Sequence, residues 1–374
     1  MRLIHIIASS SMGGRERYAL DICSHFADGG HEVIAVTRDA KAVDEQFASR
    51  GITLRHAPLR DYPDFFSSII LRNIINEKPD EPTVIHVHRY RDALTAITAR
   101  HWAKRHDIRI IATRHKAAPG KNNWLRRLIY RNLDANIFVS DFSKRTFLSS
   151  WPDERLPFDS RRIFVALNSR QSQPERVPEP TRGAITALYH GLIKPGKGIE
   201  TIIRALDIIK RQKRVRLRLR IAGSGETDYI DSIRHLALRH DVLDLIDWSR
   251  NIEDPATLVI KSHFGVLPAD TPEAFGMSNI EYMMAGRPQI TTFNGAQSEY
   301  LTPGIEALEV PPGDPEALAD AMTRLASDPS LRQSVGEAAA HRYDTLLAWP
   351  EYISKIADIY SNELKSGKNH FIKR

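Results

Sequence analysis

The chain has 374 residues, of which 42% are hydrophobic and 26% charged, a composition that is typical of a globular protein and excludes a disordered or fibrous one. No stretch approaches the ~20 apolar residues that a membrane-spanning helix needs, and the first residues lack the pattern of a secretory signal. The single cysteine, Cys23, excludes an internal disulfide and fits a reducing compartment, so the expected location is the cytoplasm.

The net charge of +7 is concentrated in the first half of the chain. Residues 1–180 carry 29 Lys and Arg against 21 Asp and Glu, whereas residues 181–374 carry 24 against 25. The window 101–150 alone holds 11 basic and 3 acidic residues. A local basic surface predicts an anionic partner, namely nucleic acid, anionic lipid or a phosphorylated substrate.

The first half of the chain alternates strand-like and helical segments. An apolar run at residues 2–8 is followed by two glycines, a helical pattern over 15–27 and a second strand over 31–37. Strands that alternate with helices predict a parallel sheet covered on both faces. Further strands are predicted at residues 83–87, 109–113, 135–139 and 162–166.

A polar, proline-rich segment, residues 171–182, is the predicted linker to a second domain in which the same alternation restarts. The predicted fold class is therefore α/β, with two doubly wound, Rossmann-like domains, residues 1–170 and 183–348, facing across a cleft. The helical stretch within 349–374 needs a surface to pack on, and we assign it to the first domain. Strands of the second domain are predicted at residues 184–190, 215–222, 245–248, 263–267 and 288–292, with a helix at 198–212.

Two glycine-containing turns follow predicted strands and precede helices. Gly13 and Gly14 would let the backbone approach an anion at a helix N-terminus, although a tight turn without a ligand explains them equally well. Residues 191–198, GLIKPGKG, nearly match a phosphate-binding P-loop, but Gly198 stands where that pattern has a Mg²⁺-binding hydroxyl. What remains is Lys197 near a helix start, where it is suited to bind a phosphate.

Residues 264–281 carry the strongest indication of a ligand site. Glu273 is predicted in a loop, and Glu281 in the second turn of a helix that begins near Gly276. The amides at the helix start favour a phosphate, and carboxylates accept hydrogen bonds from sugar hydroxyls. This arrangement predicts a nucleotide-sugar site with amides for the pyrophosphate, one carboxylate for the ribose and one for the hexose.

In this order, these segments resemble glycosyltransferase family 4, whose members are retaining enzymes of the GT-B fold. The resemblance covers most of the chain, and its most specific element is the pair Glu273 and Glu281, within E-A-F-G-M and followed by A-G-R-P. Less specific matches are Gly13-Gly14-x-Glu16, Gly30-His31-Glu32-Val33, Val139-Ser140 with Lys144, Asn168, His190-Gly191, Gly223-Ser224-Gly225-Glu226 and Gly313-Asp314-Pro315-Glu316.

The resemblance implies a reaction that transfers a sugar from a nucleoside-diphosphate sugar, with a UDP-sugar favoured, to an acceptor hydroxyl. Glu281 would bind the donor ribose, and Glu273 a hydroxyl of the transferred sugar. The donor is a co-substrate, and no cofactor or metal is expected. The remaining implied donor-binding residues are Gly14, Lys197, Phe275, Gly276, Met277 and Ser278.

On the first domain, His115 resembles the sugar-facing histidine of the family. The implied catalytic residues are therefore His115, Glu273 and Lys197, and Arg15 and His88 are predicted near the acceptor. Packing in the core or in a loop is the alternative interpretation of both histidines. A metal site at His86, His88 and His115 is disfavoured because no ligand spacing supports it.

One departure from the family pattern bears on activity. Leu192 stands where the family has an arginine beside the diphosphate, and Lys194 or Arg287 are the candidates to replace that charge. A sugar-nucleotide-binding protein with weak or no turnover is therefore an alternative function. A P-loop-like NTPase is a second alternative.

Two basic segments of the chain have different interpretations. Residues 121–131 are amphipathic if helical, which predicts contact with an anionic membrane surface on the cytoplasmic side, or else an ordinary helix with its apolar face in the core. The acceptor would then be a lipid-linked glycan, such as a lipopolysaccharide precursor. Residues 210–220 alternate Arg with Val or Leu, which fits a strand and, without aromatic residues, disfavours nucleic acid.

Overall fold

The computed structural model describes residues 1–60, 64–151, 156, 159–172, 174–181, 183–213, 215–249 and 255–371, with side chains as far as residue 366. The chain divides into two compact units. Unit 1 comprises Met1–Gln171 and Trp349–Arg374, and unit 2 comprises Ser172–Ala348. The boundary between them falls inside the predicted linker 171–182, of which residues 173 and 182 lie outside the described residues, as do residues 372–374 of the last segment.

Unit 1 is built on a seven-stranded parallel sheet in the order β3-β2-β1-β4-β5-β6-β7. The short strand β3 is not predicted by the sequence, because its residues are mostly exposed and lack an apolar run. The strands are β1 Arg2–Ile7, β2 Glu32–Thr37, β3 Thr53–His56, β4 Thr83–Val87, β5 Arg109–Arg114, β6 Ala135–Phe138 and β7 Ile163–Val165.

Six helices of unit 1 connect these strands and cover both faces of the sheet. Apolar side chains of α3 to α6 share one buried cluster with β1 and β4, and those of α1 and α2 share the cluster on the other face. Two covered faces explain why the central strands read as continuous apolar runs. The helices are α1 Gly14–Asp28, α2 Lys41–Ala48, α3 Phe65–Asn76, α4 Tyr90–Trp102, α5 Trp124–Arg131 and α6 Asp141–Leu148.

Unit 2 contains a six-stranded parallel sheet in the order β10-β9-β8-β11-β12-β13. Its strands are β8 Ile185–His190, β9 Leu217–Ala222, β10 Ile246–Ser249, β11 Phe264–Leu267, β12 Gln289–Thr291 and β13 Leu308–Glu309. Its helices are α7 Ile199–Arg211, α8 Thr227–Arg239, α9 Pro255–Ile260, α10 Met277–Met284, α11 Pro315–Ser327 and α12 Pro329–Leu346.

The end of the alternating basic segment, residues 217–220, lies in strand β9, as its period of two predicts. Leu217 and Leu219 are buried, and Arg218 between them forms an ion pair with Asp247 of the neighbouring strand. Arg218 and Arg220 therefore lie on the less buried face of this strand.

The last helix, α13 (Trp349–Phe371), returns to unit 1. Tyr352, Ile356 and Tyr360 are buried against α1 and β1. Among the described helices, none combines the length and the apolar composition that crossing a bilayer requires.

Both sheets reverse their strand order next to the first strand of the unit. In unit 1 this switch lies between β1 and β4, and in unit 2 between β8 and β11. Chains that leave the carboxyl ends of two such strands diverge and leave a crevice, which is where doubly wound sheets bind ligands. The loops that follow β1, β4, β8 and β11 carry most of the residues singled out by the sequence.

Candidate functional site

In unit 2, the loops after β8 and β11 are held together by backbone contacts. The carbonyl of Gly196 accepts hydrogen bonds from the amides of Asp270 and Thr271, both at 3.1 Å. Gly198 has φ +73°, and a Cβ atom there would lie 1.8 Å from the carbonyl oxygen of Pro268. Glycine at position 198 therefore permits the close approach of the two loops, and a P-loop hydroxyl would overlap the backbone at this point.

This contact between the loops brings two charged residues of the predicted site together. Lys197 forms an ion pair with the Oε1 atom of Glu273, and their side chains are 22% and 24% exposed. The amide of Ala296 donates to the Glu273 carbonyl at 3.0 Å, which fixes the backbone of the loop. Lys197 and Glu273 are thus held at a half-buried position that a polar ligand can reach.

Glu281, in the second turn of α10, lies deeper in the same unit. Its side chain is 11% exposed, and its Oε2 atom is 2.6 Å from Nε2 of His190. The other ring nitrogen of His190 is 2.9 Å from the hydroxyl of Tyr282. The sequence did not identify His190 as a functional residue; the available signal was its place at the carboxyl end of the strand predicted at residues 184–190.

The four residues predicted to bind the diphosphate form the start of α10. Gly276 is the N-cap with φ +94°, and the first turn of a helix has N–H groups without partners inside the helix. The Phe275 side chain is buried against Tyr300, with ring centroids 4.9 Å apart, so only its backbone suits the predicted role. The Ser278 hydroxyl donates to the His190 carbonyl at 2.9 Å.

The two candidates to replace the missing arginine differ in their surroundings. Leu192 is 51% exposed, and Lys194 is also exposed. Arg287 is 5% exposed and donates to the backbone carbonyls of Val177, Pro178 and Ile260 at 2.8–3.1 Å. Arg287 therefore has a structural role, and Lys194 remains the candidate.

In unit 1, His115 is part of a row of histidines. His5 on β1 and His88 after β4 approach to 3.3 Å between Nδ1 and Nε2, and Nδ1 of His88 is 3.5 Å from Nε2 of His115. Burial lowers the pKa values of His5 and His115 to about 3 and that of His88 well below its usual value. These rings are therefore neutral at neutral pH.

The structure also places His86 beside this row, which raises the question of a metal. Ligand atoms of His5, His86 and His88 lie within 4.8 Å of one another. Both ring nitrogens of His86 already have hydrogen-bond partners, the hydroxyls of Tyr360 at 2.6 Å and Thr113 at 2.8 Å.

The sequence did not single out His5, because its position next to the other histidines depends on the pairing of β1 with β4.

The predicted acceptor residues Arg15 and His88 line one shallow recess at the surface of unit 1. Arg15 forms an ion pair with Glu16 at 2.6 Å, and Glu16 accepts a hydrogen bond from the Gly13 amide at 3.1 Å. Gly14 begins α1 directly after this contact. His88 is only 4% exposed. The other residues around the recess are Ile6, Ile7, Ala8, Arg89 and Asp92.

The basic amphipathic segment forms helix α5, and its apolar residues divide between two environments. Ile129 and Tyr130 are buried in the core of unit 1, and Leu125 packs against the same core. Trp124 is 76% exposed and Leu128 43% exposed. The interpretation as a core helix therefore holds for one face, and a second apolar pair remains at the surface.

Comparison with known proteins identifies the family. The model described as "Glycosyltransferase Family 4" matches residues 12–159, and the model described as "Glycosyl transferases group 1" matches residues 171–342. The chain belongs to glycosyltransferase family 4. The first match contains Gly14, His88 and His115, and the second contains both glutamates of the E-x7-E pair.

Relatives of this glycosyltransferase are similar over nearly its whole length. Glycogen synthase of Mycobacterium tuberculosis is 23% identical, over 93% of this chain and 91% of its own. The structure of Anabaena Alr3699/HepE in complex with UDP and glucose has a TM-score of 0.81 at 14% identity and covers 96% of this chain and 99% of its own. The apo lipopolysaccharide outer core galactosyltransferase WaaB has a TM-score of 0.70 at 16% identity, with 97% and 100% covered. These structures match the GT-B arrangement of two doubly wound sheets.

Proposed function

We propose that this glycosyltransferase moves a sugar from a nucleoside-diphosphate sugar to an acceptor hydroxyl, with retention of the anomeric configuration and without a metal ion. The observation that carries the proposal is the arrangement in unit 2 of Lys197, Glu273 and Glu281 around the start of α10, beside the switch in strand order. Amides and a lysine suit a diphosphate, and two carboxylates suit two sets of sugar hydroxyls.

The proposed roles follow from the charge that develops during transfer. As the bond to the anomeric carbon breaks, negative charge grows on the leaving diphosphate, and Lys197 with the first amides of α10 stabilises that charge. Preorganised donors of this kind can take the place of a divalent cation. Front-face substitution, in which the leaving phosphate helps to deprotonate the acceptor, is the proposed route. His115 remains a predicted contact of the transferred sugar, and Gly14 of the diphosphate.

A uridine donor and a cell-surface glycan are the proposed substrates. The support for uridine is that Anabaena HepE forms complexes with UDP and UDP-glucose. The support for the acceptor is that WaaB is a lipopolysaccharide galactosyltransferase and that WaaG takes part in lipopolysaccharide biosynthesis. The acceptor class proposed is therefore a lipopolysaccharide precursor or a related lipid-linked glycan.

A panel of UDP-, GDP- and ADP-sugars, incubated with and without EDTA, tests the proposal. The expected result is release of one nucleoside diphosphate at a rate that EDTA leaves unchanged, with an NMR coupling constant in the product that matches the donor anomer. Loss of activity in EDTA would contradict metal independence. An inverted anomer would contradict retention.

A binding protein with weak turnover is a second candidate function, and Leu192 is the observation that favours it. The position is 51% exposed and carries no charge where the family has an arginine. Tight binding of UDP in a thermal-shift assay, together with no product from any sugar of the panel, would support this candidate against the transferase.

We also propose that α5 binds an anionic membrane surface on the cytoplasmic side. Trp124, Leu128 and Arg131 are exposed on this helix, Arg127 is half-buried beside them, and the exposed Lys121 precedes the helix. Exposed apolar side chains among basic ones suit an interface of acyl chains and acidic headgroups.

Vesicle flotation tests this surface. The full chain is expected to float with vesicles that contain about 30 mol% phosphatidylglycerol, because the anionic headgroups give the vesicle a negative surface potential. With neutral vesicles the chain is expected to remain in the bottom fraction. Trp124→Ala with Arg127→Gln should abolish flotation and preserve donor hydrolysis. Equal flotation of this variant would contradict the assignment.

A further inference from the structure

The proton positions in the unit 2 site follow from three short contacts around His190. Tyr282 places its hydroxyl 2.7 Å from the carbonyl oxygen of Leu188. Two oxygens at this distance repel each other unless a proton lies between them, and a carbonyl has no proton to offer. The Tyr282 hydroxyl therefore donates its single proton to Leu188.

This leaves the Tyr282 oxygen as an acceptor toward its other neighbour. Nδ1 of His190 lies 2.9 Å from that oxygen, so Nδ1 must carry a proton and donate it. In a neutral imidazole the second nitrogen would then be bare. That nitrogen, Nε2, lies 2.6 Å from the Oε2 atom of Glu281, which is an acceptor when ionised. Two lone pairs cannot face each other at this distance, so another proton lies between them.

We propose that His190 is a doubly protonated positioning residue that holds Glu281 ionised and fixes its orientation for the nucleotide-sugar donor. Both partners are nearly enclosed, with side-chain exposures of 2% for His190 and 11% for Glu281. A buried carboxylate needs a partner of opposite charge, and a charge-assisted hydrogen bond is stronger than a neutral one. The Oε2 atom thereby accepts a hydrogen bond from His190, and the carboxylate held in this orientation is the group assigned to donor hydroxyls.

The His190 backbone adds to this coupling between strand β8 and helix α10. The His190 carbonyl accepts the hydrogen bond from the Ser278 hydroxyl at 2.9 Å, one turn before Glu281. Side chain and carbonyl of the same residue thus fix the start and the second turn of α10. A shift of His190 would move the carboxylate and the first amides of the helix together.

The role of Glu281 toward the donor rests on the proposed function, but the protonation of His190 does not. Long-range ¹H–¹⁵N NMR of the ligand-free full chain, labelled at histidine, reads both ring nitrogens directly. The expected result at pH 7.5 is two protonated nitrogens for one histidine, assigned to His190 by its loss in His190→Gln. A proton on Nε2 alone, or on Nδ1 alone with a protonated carboxyl in the infrared spectrum, would overturn the proposal.

A double-mutant cycle then tests whether His190 acts through Glu281. His190→Phe removes the donor to Oε2 and is expected to weaken UDP-sugar binding about tenfold or more, the loss of a hydrogen bond to a charged group. His190→Gln keeps an N–H donor near Nε2 and should recover most of the affinity. In the Glu281→Gln background, His190→Phe should add less than about twofold, because interacting residues are non-additive.

His263 provides the matched control. It is buried to the same degree, 3% exposed, in the same unit, and it bonds to the Thr186 amide and the Pro180 carbonyl instead. His263→Gln should leave the donor affinity unchanged. Additive losses from His190→Phe and Glu281→Gln would overturn the positioning role. If Glu281→Gln itself leaves donor binding intact, the proposed function of the site fails and the NMR result still decides the protonation.

Discussion

At the scale of single residues, the candidate site combines charges that neutralise one another before any donor binds. Lys197 pairs with Glu273, and Glu281 pairs with His190. The attraction within each pair offsets the free-energy cost of removing these groups from water. A ligand must therefore exchange hydrogen bonds with existing pairs, and the effect of a substitution depends on the partner that it leaves behind.

Replacing Glu281 by Ala should lower kcat/KM for the donor by about 10- to 100-fold, because hydrogen bonds to a charged acceptor contribute roughly 1.5–3 kcal/mol. Steady-state kinetics with varied UDP-sugar measure this loss. Glu309→Ala, at an exposed position of the same unit, is the control and should keep normal kinetics. Unchanged kinetics in Glu281→Ala would remove this residue from the donor site.

Replacing Leu192 by Arg should strengthen donor binding about fivefold, since a new exposed charge pair contributes up to ~1 kcal/mol. The position is solvent-exposed, so the substitution leaves the core unchanged. Leu238→Arg, on an exposed part of α8, adds the same charge elsewhere in unit 2 and serves as the control. Isothermal titration with UDP measures both, and an equal gain in the two variants would point to net charge alone.

At the scale of elements, the site depends on how two loops approach each other. Gly196 and Gly198 both have positive φ, and both lie against the loop that follows β11. Their lack of a side chain lets Lys197 reach Glu273. The glycine pattern that resembles a P-loop thus serves the contact between two connections of the sheet.

Gly198→Ala should cost more stability than the left-handed conformation alone explains. Gly304 has a similar φ of +78° with no atom within 4 Å of an added Cβ, whereas the Cβ of residue 198 would overlap Pro268. Gly304→Ala should therefore lose only the ~1–2 kcal/mol of a strained backbone, and Gly198→Ala clearly more. Urea unfolding of the two variants measures the difference, and equal losses would contradict the steric explanation.

At the scale of the whole molecule, buried histidines make the stability of unit 1 depend on pH. Unit 1 encloses a row of histidines next to α13, and burial lowers their pKa values. A neutral histidine that is buried in the folded chain gains a proton when the chain unfolds below pH 6.5. Acid therefore favours the unfolded form of unit 1 by linkage.

The free energy of unfolding should be constant above about pH 7 and fall as the pH drops below 6.5, with the loss continuing toward the folded pKa values of about 3. At pH 5 each such histidine contributes a loss of roughly 2 kcal/mol. Hydrogen exchange should show that β1 and β4 lose protection first. His5→Leu should make the free energy of unfolding less dependent on pH. His341→Gln, at an exposed position, is the control and should leave that dependence unchanged. The same slope of unfolding free energy against pH in both variants would contradict the assignment.

The sequence by itself determined the alternation of elements, the two α/β domains and the family, because apolar runs, glycines and the E-x7-E pair are local features. It placed Glu273, Glu281 and the start of α10 correctly along the chain. It missed the exposed strand β3 and the two-residue strand β13, whose residues have too little apolar pattern.

Only the tertiary structure decided which residues meet. His190 and Glu281 are 91 positions apart, and Lys197 and Glu273 are 76 apart. The sequence offers Arg287 as a replacement for a missing charge, whereas the structure places it against three backbone carbonyls. These contacts arise because parallel strands bring their carboxyl ends to one edge of a sheet, whatever their distance along the chain. Local sequence patterns do not indicate which side chains meet at that edge.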